Sequence, residues 1–172
     1  VDMTRPLGLV PQVLAQNVGT FLAQLPIAAA GLAWAVLTGT LSLPPSIPTV
    51  PQWLLATLLG EVIVLLMNLL MSLTCFWSLE TGGYNMLYRL GSGLLSGALV
   101  PLWFMPGWFA AVLDWLPFRA QMFTPLSIYF GQLDGTAAWL AIAGQVVWIA
   151  VLAGLIHVVW RRAERRVVVL GG

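Results

Sequence analysis

"VPLWFMPGWFAAVLDWLPF", residues 100–118, carries a single charge, Asp114, and three tryptophans. Its apolar content is enough for a membrane span, which needs about 20 such residues. Yet Pro101, Pro106 and Pro117 interrupt it, and Gly107 stands beside the second of them. A proline lacks the amide donor and its ring meets the carbonyl four residues back, so no continuous helix runs through this stretch. What the chain does with so much interrupted hydrophobic surface depends on its solvent.

Composition decides that solvent. A soluble domain carries about 25% charged residues, whereas this chain of 172 residues carries 8% and is 60% hydrophobic, with a mean hydropathy of +0.93. Such a sequence belongs in a lipid bilayer. All seven basic residues are Arg and the net charge is +1. No basic stripe with interleaved aromatics is present, so no nucleic-acid partner is expected. Cys75 and His157 are the only residues of their kinds, which leaves no internal disulfide and no Cys- or His-cluster metal site. No signal peptide and no internal repeat is expected.

Four spans can be read, at about residues 17–37, 51–77, 84–100 and 136–160. Pro26 would kink the first rather than end it. Pro51 is favoured in the first turn of the second, and Pro101 limits the third. The run "RRAERR" at 161–166 follows the fourth span directly. Four Arg at a span end belong on the cytoplasmic side. Counting back through four spans puts Arg89 and Arg5 on that side too and Arg119 outside, so both termini are expected in the cytoplasm.

The opening stretch then lies outside, between spans three and four. The expected architecture is all-α, with four transmembrane helices and an outer re-entrant helical hairpin over residues 101–135. Its backbone would turn at Pro106–Gly107 and at Leu116–Pro117, and a return arm would be broken at Pro125. Non-helical backbone is tolerated at membrane depth where protein or water covers it. Trp108 and its neighbours would fill the outer half of the bundle. An interfacial loop that only caps the bundle remains the other reading of such short apolar runs. Asp114 and Arg119 flank Pro117 and could form an ion pair.

Glu61 stands ten residues beyond Pro51, about 15 Å along a helix and near the middle of a hydrocarbon core roughly 30 Å thick. An acid there costs about 2.5–3.5 kcal/mol on insertion scales and should face protein or water. Thr57, Asn68 and Ser72 fall within roughly 40° of it at about 100° per residue. This polar stripe either lines a pathway or dimer interface, or holds a protonated Glu bonded between helices. In "GSGLLSG", Ser92, Gly93, Ser96 and Gly97 form a small-xxx-small pattern that permits close helix approach, within the protomer or across a dimer. His157 is expected to be packed or interfacial near the inner end of the last span. Ser92 or Ser96 with His157 would be the only nucleophile and base for an intramembrane serine hydrolase. "LGSG" at 90–93 lacks the leading Gly of a rhomboid-type motif.

In the order "SGALVPLWFMPGWFAAVLDWLPF", "TPLSIYFGQLDG" and "GQVVWIAVLAGLIHVVWRRAERRVVVLGG", the chain resembles the permease subunits of bacterial ABC-2 family transporters. The matching positions are Ser96, Gly97, Val100, Pro101, Pro106, Trp108, Leu116, Pro117, Phe118, Pro125, Gly131, Gly135, Gln145 and Trp148, and the Arg-rich tail. "DMTRPLGLVPQVL" is similar to that family's cytoplasmic segment after its second span, through Asp2, Arg5, Pro6 and Gln12. The resemblance implies six spans, so two N-terminal ones would be missing here. It implies a coupling role toward an ATPase for Asp2, Arg5, Pro6 and Gln12 within residues 1–16, with the loop at 78–89 as a second contact. An ordinary membrane-edge loop is the other reading of both.

The chain has no Lys, and a P-loop requires one. ATP would therefore be hydrolysed by a separate ATP-binding subunit, and no cofactor is expected in this chain. The resemblance further implies a second permease protomer, in a homo- or heterodimer, within the bacterial cytoplasmic membrane, and export more than import. A non-transporting scaffold or permease remnant is the alternative.

Overall fold

A computed structural model of the chain describes residues 9–74, 82–97 and 104–170. Among them every regular element is a helix. The chain divides into two compact units, Val1–Pro44 and Pro45–Gly172.

The first unit is built on α1 (Leu9–Leu37), which continues through Pro26. Its apolar segment Pro11–Leu37 is long enough to cross a membrane. Leu22, Ile27 and Trp34 are exposed, as expected for a helix whose flanks meet lipid rather than a packed core. The carbonyls at its C-terminal end are taken by threonines: Thr38 Oγ1 donates to the Trp34 carbonyl and Thr40 Oγ1 to the Ala35 carbonyl, each at 2.9 Å. Gln12 lies near the start of this helix, half-buried.

The second unit is organised by two long helices, α2 (Thr49–Thr74) and α7 (Gly135–Leu170). Their membrane-length segments are Thr49–Leu73 and Gly135–Arg162. The two helices pack against each other more extensively than any other pair. Buried positions on α2 recur as Gln52, Ala56, Ile63 and Met67, and on α7 as Ala138, Ile142, Gln145 and Leu152. Steps of three, four and seven select one face of each helix. Lipid is as apolar as leucine, so the fit of these faces, rather than their hydrophobicity, holds the pair together.

The pairing is parallel. Gln52 Nε2 reaches the Gly135 carbonyl at the start of both helices. Further along, Ala56 packs with Ala138 and Ile142, and Ile63 and Met67 pack with Leu152. Residue number rises in the same direction on both, so the intervening chain must return along the pair before α7 begins.

That return contains α3 (Gly82–Leu95), α4 (Gly107–Leu113), α5 (Pro117–Gln121) and α6 (Phe123–Tyr129). With 14 residues, α3 is about 21 Å long, short of the roughly 30 Å core. Gly97 ends it with φ +82°, a left-handed conformation open to glycine. Gly93 lies within α3, whereas Gly97 stands just past its end. Pro101, Asp2, Arg5 and Pro6 lie outside the described residues.

Candidate functional site

The site grows from two prolines. Leu116 is extended (φ −114°, ψ 150°) ahead of Pro117, which opens α5, as the residue before a proline is pushed out of the helical region. Eight residues on, Pro125 has no amide to offer the Gln121 carbonyl four residues back. The helix breaks at Met122 (φ −125°, ψ −44°) and restarts as α6. A five-residue helix thus ends with its last carbonyls released from intrahelical bonding.

Those carbonyls meet α2 and α7. The side chain of Gln145, with no exposed surface, donates from Nε2 to the Ala120 carbonyl at 2.8 Å and to the Ala56 carbonyl at 2.9 Å. One amide therefore joins α7 to both α5 and α2. The orientation is fixed by chemistry, since carbonyls only accept and the reversed amide would set its oxygen against them both. At the next carbonyl, a β-carbon placed on Gly60 would stand 2.5 Å from the Gln121 oxygen. Only a glycine lets the end of α5 rest on the backbone of α2. The Gln121 side chain reaches the other way, its Oε1 accepting a bond from Ser92 Oγ of α3 at 3.1 Å.

The segment from α5 to α6 runs along the long pair. Phe118 and Ala120 pack with Ile63, Met67 and Leu152, whereas Ile128 packs with Ala56, Ala138 and Ile142. Tyr129 meets Trp53 edge to face at 5.2 Å. From Ile63 to Trp53 is ten residues of α2, or about 15 Å. The segment thus advances from the middle of the long helices toward their N-terminal ends. Thr124, Pro125, Ser127, Ile128 and Tyr129 are all buried in it.

Charges gather at the deep end. Asp114 and Arg119 form an ion pair across the turn at Leu116–Pro117, with side chains 49% and 33% exposed. The Arg119 guanidinium lies 4.7 Å from the centre of the Phe123 ring, a cation–π arrangement. Arg119 adjoins Ala120, which packs with Ile63, two residues beyond Glu61 on α2. Glu61 is the central residue of the segment Thr49–Leu73. It is half-buried, and no described residue hydrogen-bonds or ion-pairs with it.

The remaining residues of its stripe are also half-buried. Thr57 Oγ1 and Ser72 Oγ return to their own helix, bonding the Trp53 and Asn68 carbonyls at 2.8 and 2.9 Å. The stripe therefore flanks the α7-facing side of α2 without joining it.

Other expected residues fall outside this cluster. Pro106 precedes α4, with Phe109 N–H bonding its carbonyl at 2.9 Å. Trp108 is 71% exposed and Trp115 82% exposed, while Leu113 is the fully buried residue of that arm. Within one chain Trp108 faces outward. Ser96 is buried and bonds the Gly93 carbonyl. His157 is exposed, consistent with an interfacial rather than a packed position. Gly60 and Gln121 had no role in the sequence reading, and Gln145 only matched a family position. An amide without charge near the centre of an apolar span was the available signal for Gln145.

The sequence model described as ABC-2 family transporter protein matches residues 1–171. The chain belongs to the ABC-2 transporter family. No curated protein and no solved structure matches it. As an ABC-2 protein it is a multi-pass membrane protein and a permease component of an ABC transporter. The three long apolar helices agree with that membership.

Proposed function

We propose that this ABC-2 chain is the membrane-spanning subunit of an exporter, energised by a separate ATP-binding subunit and paired with a second permease protomer. The single observation that carries the pathway is the depth of its charges. Glu61 stands at the middle of the apolar segment of α2, and Arg119, ion-paired with Asp114, adjoins Ala120, which packs with Ile63 two residues further on; all three charges are partly exposed in one chain. A lone charge at that depth costs about 2.5–3.5 kcal/mol on insertion scales, so these groups face water or protein rather than lipid tails. They mark the wall of a polar pathway between protomers.

The same geometry supports four spans and a re-entrant hairpin. Because α2 and α7 are parallel, the chain between them crosses back. The short helix α3 lies on that return, and the segment from α4 to α6 reaches the level of Ile63 and rises again. Six of the seven Arg then lie on the cytoplasmic side, with both termini, of a bacterial inner membrane. Residues 1–16, with Asp2, Arg5, Pro6 and Gln12, are the contact toward the ATPase.

The test is ATP-dependent uptake into inverted vesicles carrying the chain with its ATP-binding subunit. Glu61→Gln should lower uptake while the complex still purifies intact. Normal uptake by an intact Glu61→Gln complex would remove Glu61 from the pathway.

A further inference from the structure

The geometry points to Gln145 as a positioning residue: its amide pins the short helix α5, and with it the hairpin tip, to α2 and α7, so that the three move as one body during transport. The inference rests on the reading of α4–α6 as a membrane-embedded hairpin, but its first test does not require transport.

Three observations carry it. Gln145 is fully buried, and Nε2 makes two short bonds to backbone carbonyls of two other helices. One of these, Ala120, belongs to a helix of only five residues, too short to hold itself. The seat beneath it is Gly60, where any β-carbon would strike the Gln121 carbonyl. The Gln145 Oε1 is buried with no partner among the described residues, so the attachment works through the donor end alone. Backbone carbonyls are the acceptors, so the pin grips α5 irrespective of the side chains that α5 presents outward. The hairpin's outward residues, Asp114 and Arg119 among them, are free to differ in contacts while the tip stays fixed. Water cannot readily replace these bonds in the membrane interior, which makes the pin tight in the resting chain and its loss local.

Gln145→Met separates this role from packing, because Met keeps length and volume and deletes both donors. Hydrogen–deuterium exchange on the full chain in lipid nanodiscs reads the result. In Gln145→Met the amides of residues 117–129 should exchange at least about tenfold faster, the scale of two lost hydrogen bonds, with α2 and α7 unchanged. Gly60→Ala, which pushes the tip off its seat and leaves the amide in place, should give the same local pattern. In the assembled transporter, both variants should keep ATP hydrolysis and lose its coupling to uptake. Unchanged exchange at 117–129 in a folded Gln145→Met chain would overturn the pin. Faster exchange spread evenly over α2, α5 and α7 would reduce Gln145 to a packing residue. Local loosening with fully coupled uptake would overturn the functional part and leave the hairpin reading standing.

Discussion

Gly60 and Gln121 meet backbone to backbone: a β-carbon at Gly60 would lie 2.5 Å from the Gln121 carbonyl oxygen and 3.3 Å from its carbonyl carbon. Neither atom is the end of a flexible side chain, so a substitution there forces one helix away from the other.

Gly60→Ala tests this by sign. In an open helical position the change would stabilise by about 0.5–1 kcal/mol. Here overpacking should instead destabilise by about 1–3 kcal/mol. A lower melting temperature of the purified variant in detergent is the expected outcome, and a higher one would mean that α5 does not rest on α2.

The ion pair of Asp114 with Arg119 reports the depth of the hairpin. In water such a pair is worth about 0–1 kcal/mol. Within the membrane, Asp114→Asn leaves Arg119 uncompensated at a cost of about 2.5–3.5 kcal/mol. The single variant should therefore accumulate poorly in membranes, and the exchange Asp114→Arg with Arg119→Asp should restore it. Full accumulation of Asp114→Asn would place the turn in solvent.

Trp108 distinguishes sealing from anchoring. Truncating a fully buried Trp costs about 3–5 kcal/mol, but this one is 71% exposed. Trp108→Ala should cost under about 1 kcal/mol in detergent, within the range of ordinary surface changes. A loss of several kcal/mol in thermal or denaturant unfolding would show that another protomer covers it.

Orientation follows from labelling single cysteines in intact cells, with Cys75 replaced. Positions Ser46 and Asp134 should react from outside, and Thr81 and Glu164 only after the membrane is opened. Reversal at any of the four would break the four-span topology.

Much of the long-helix layout was legible because hydropathy and length report it directly. Segments expected at 51–77 and 136–160 correspond to Thr49–Leu73 and Gly135–Arg162. The breaks at Pro117 and Pro125 were legible too, because proline acts on its own backbone whatever surrounds it. Pairing was not. In an apolar span every face looks alike, so nothing in the periodicity showed that Ala56, Gly60 and Gln145 mark the contact face. The end of α3 was not legible for a related reason: a glycine four residues after another fits a packing motif and a helix end equally well. The outward face of Trp108 within one chain was not legible either, because aromatic content gives a residue's appetite for burial but not which way a seven-residue helix turns.

The arm from Pro117 to Tyr129 rises beside α2 inside the bundle. Paired cysteines read it directly, in a chain with Cys75 replaced and assembled in membranes. Ile63 with Ala120 and Trp53 with Tyr129 should join through a short thiol cross-linker. The exchanged pairs, Ile63 with Tyr129 and Trp53 with Ala120, are offset by about 15 Å along the helix and should not join. Cross-linking of the exchanged pairs, or failure of Ile63 with Ala120 while Trp53 with Tyr129 succeeds, would contradict the embedded hairpin.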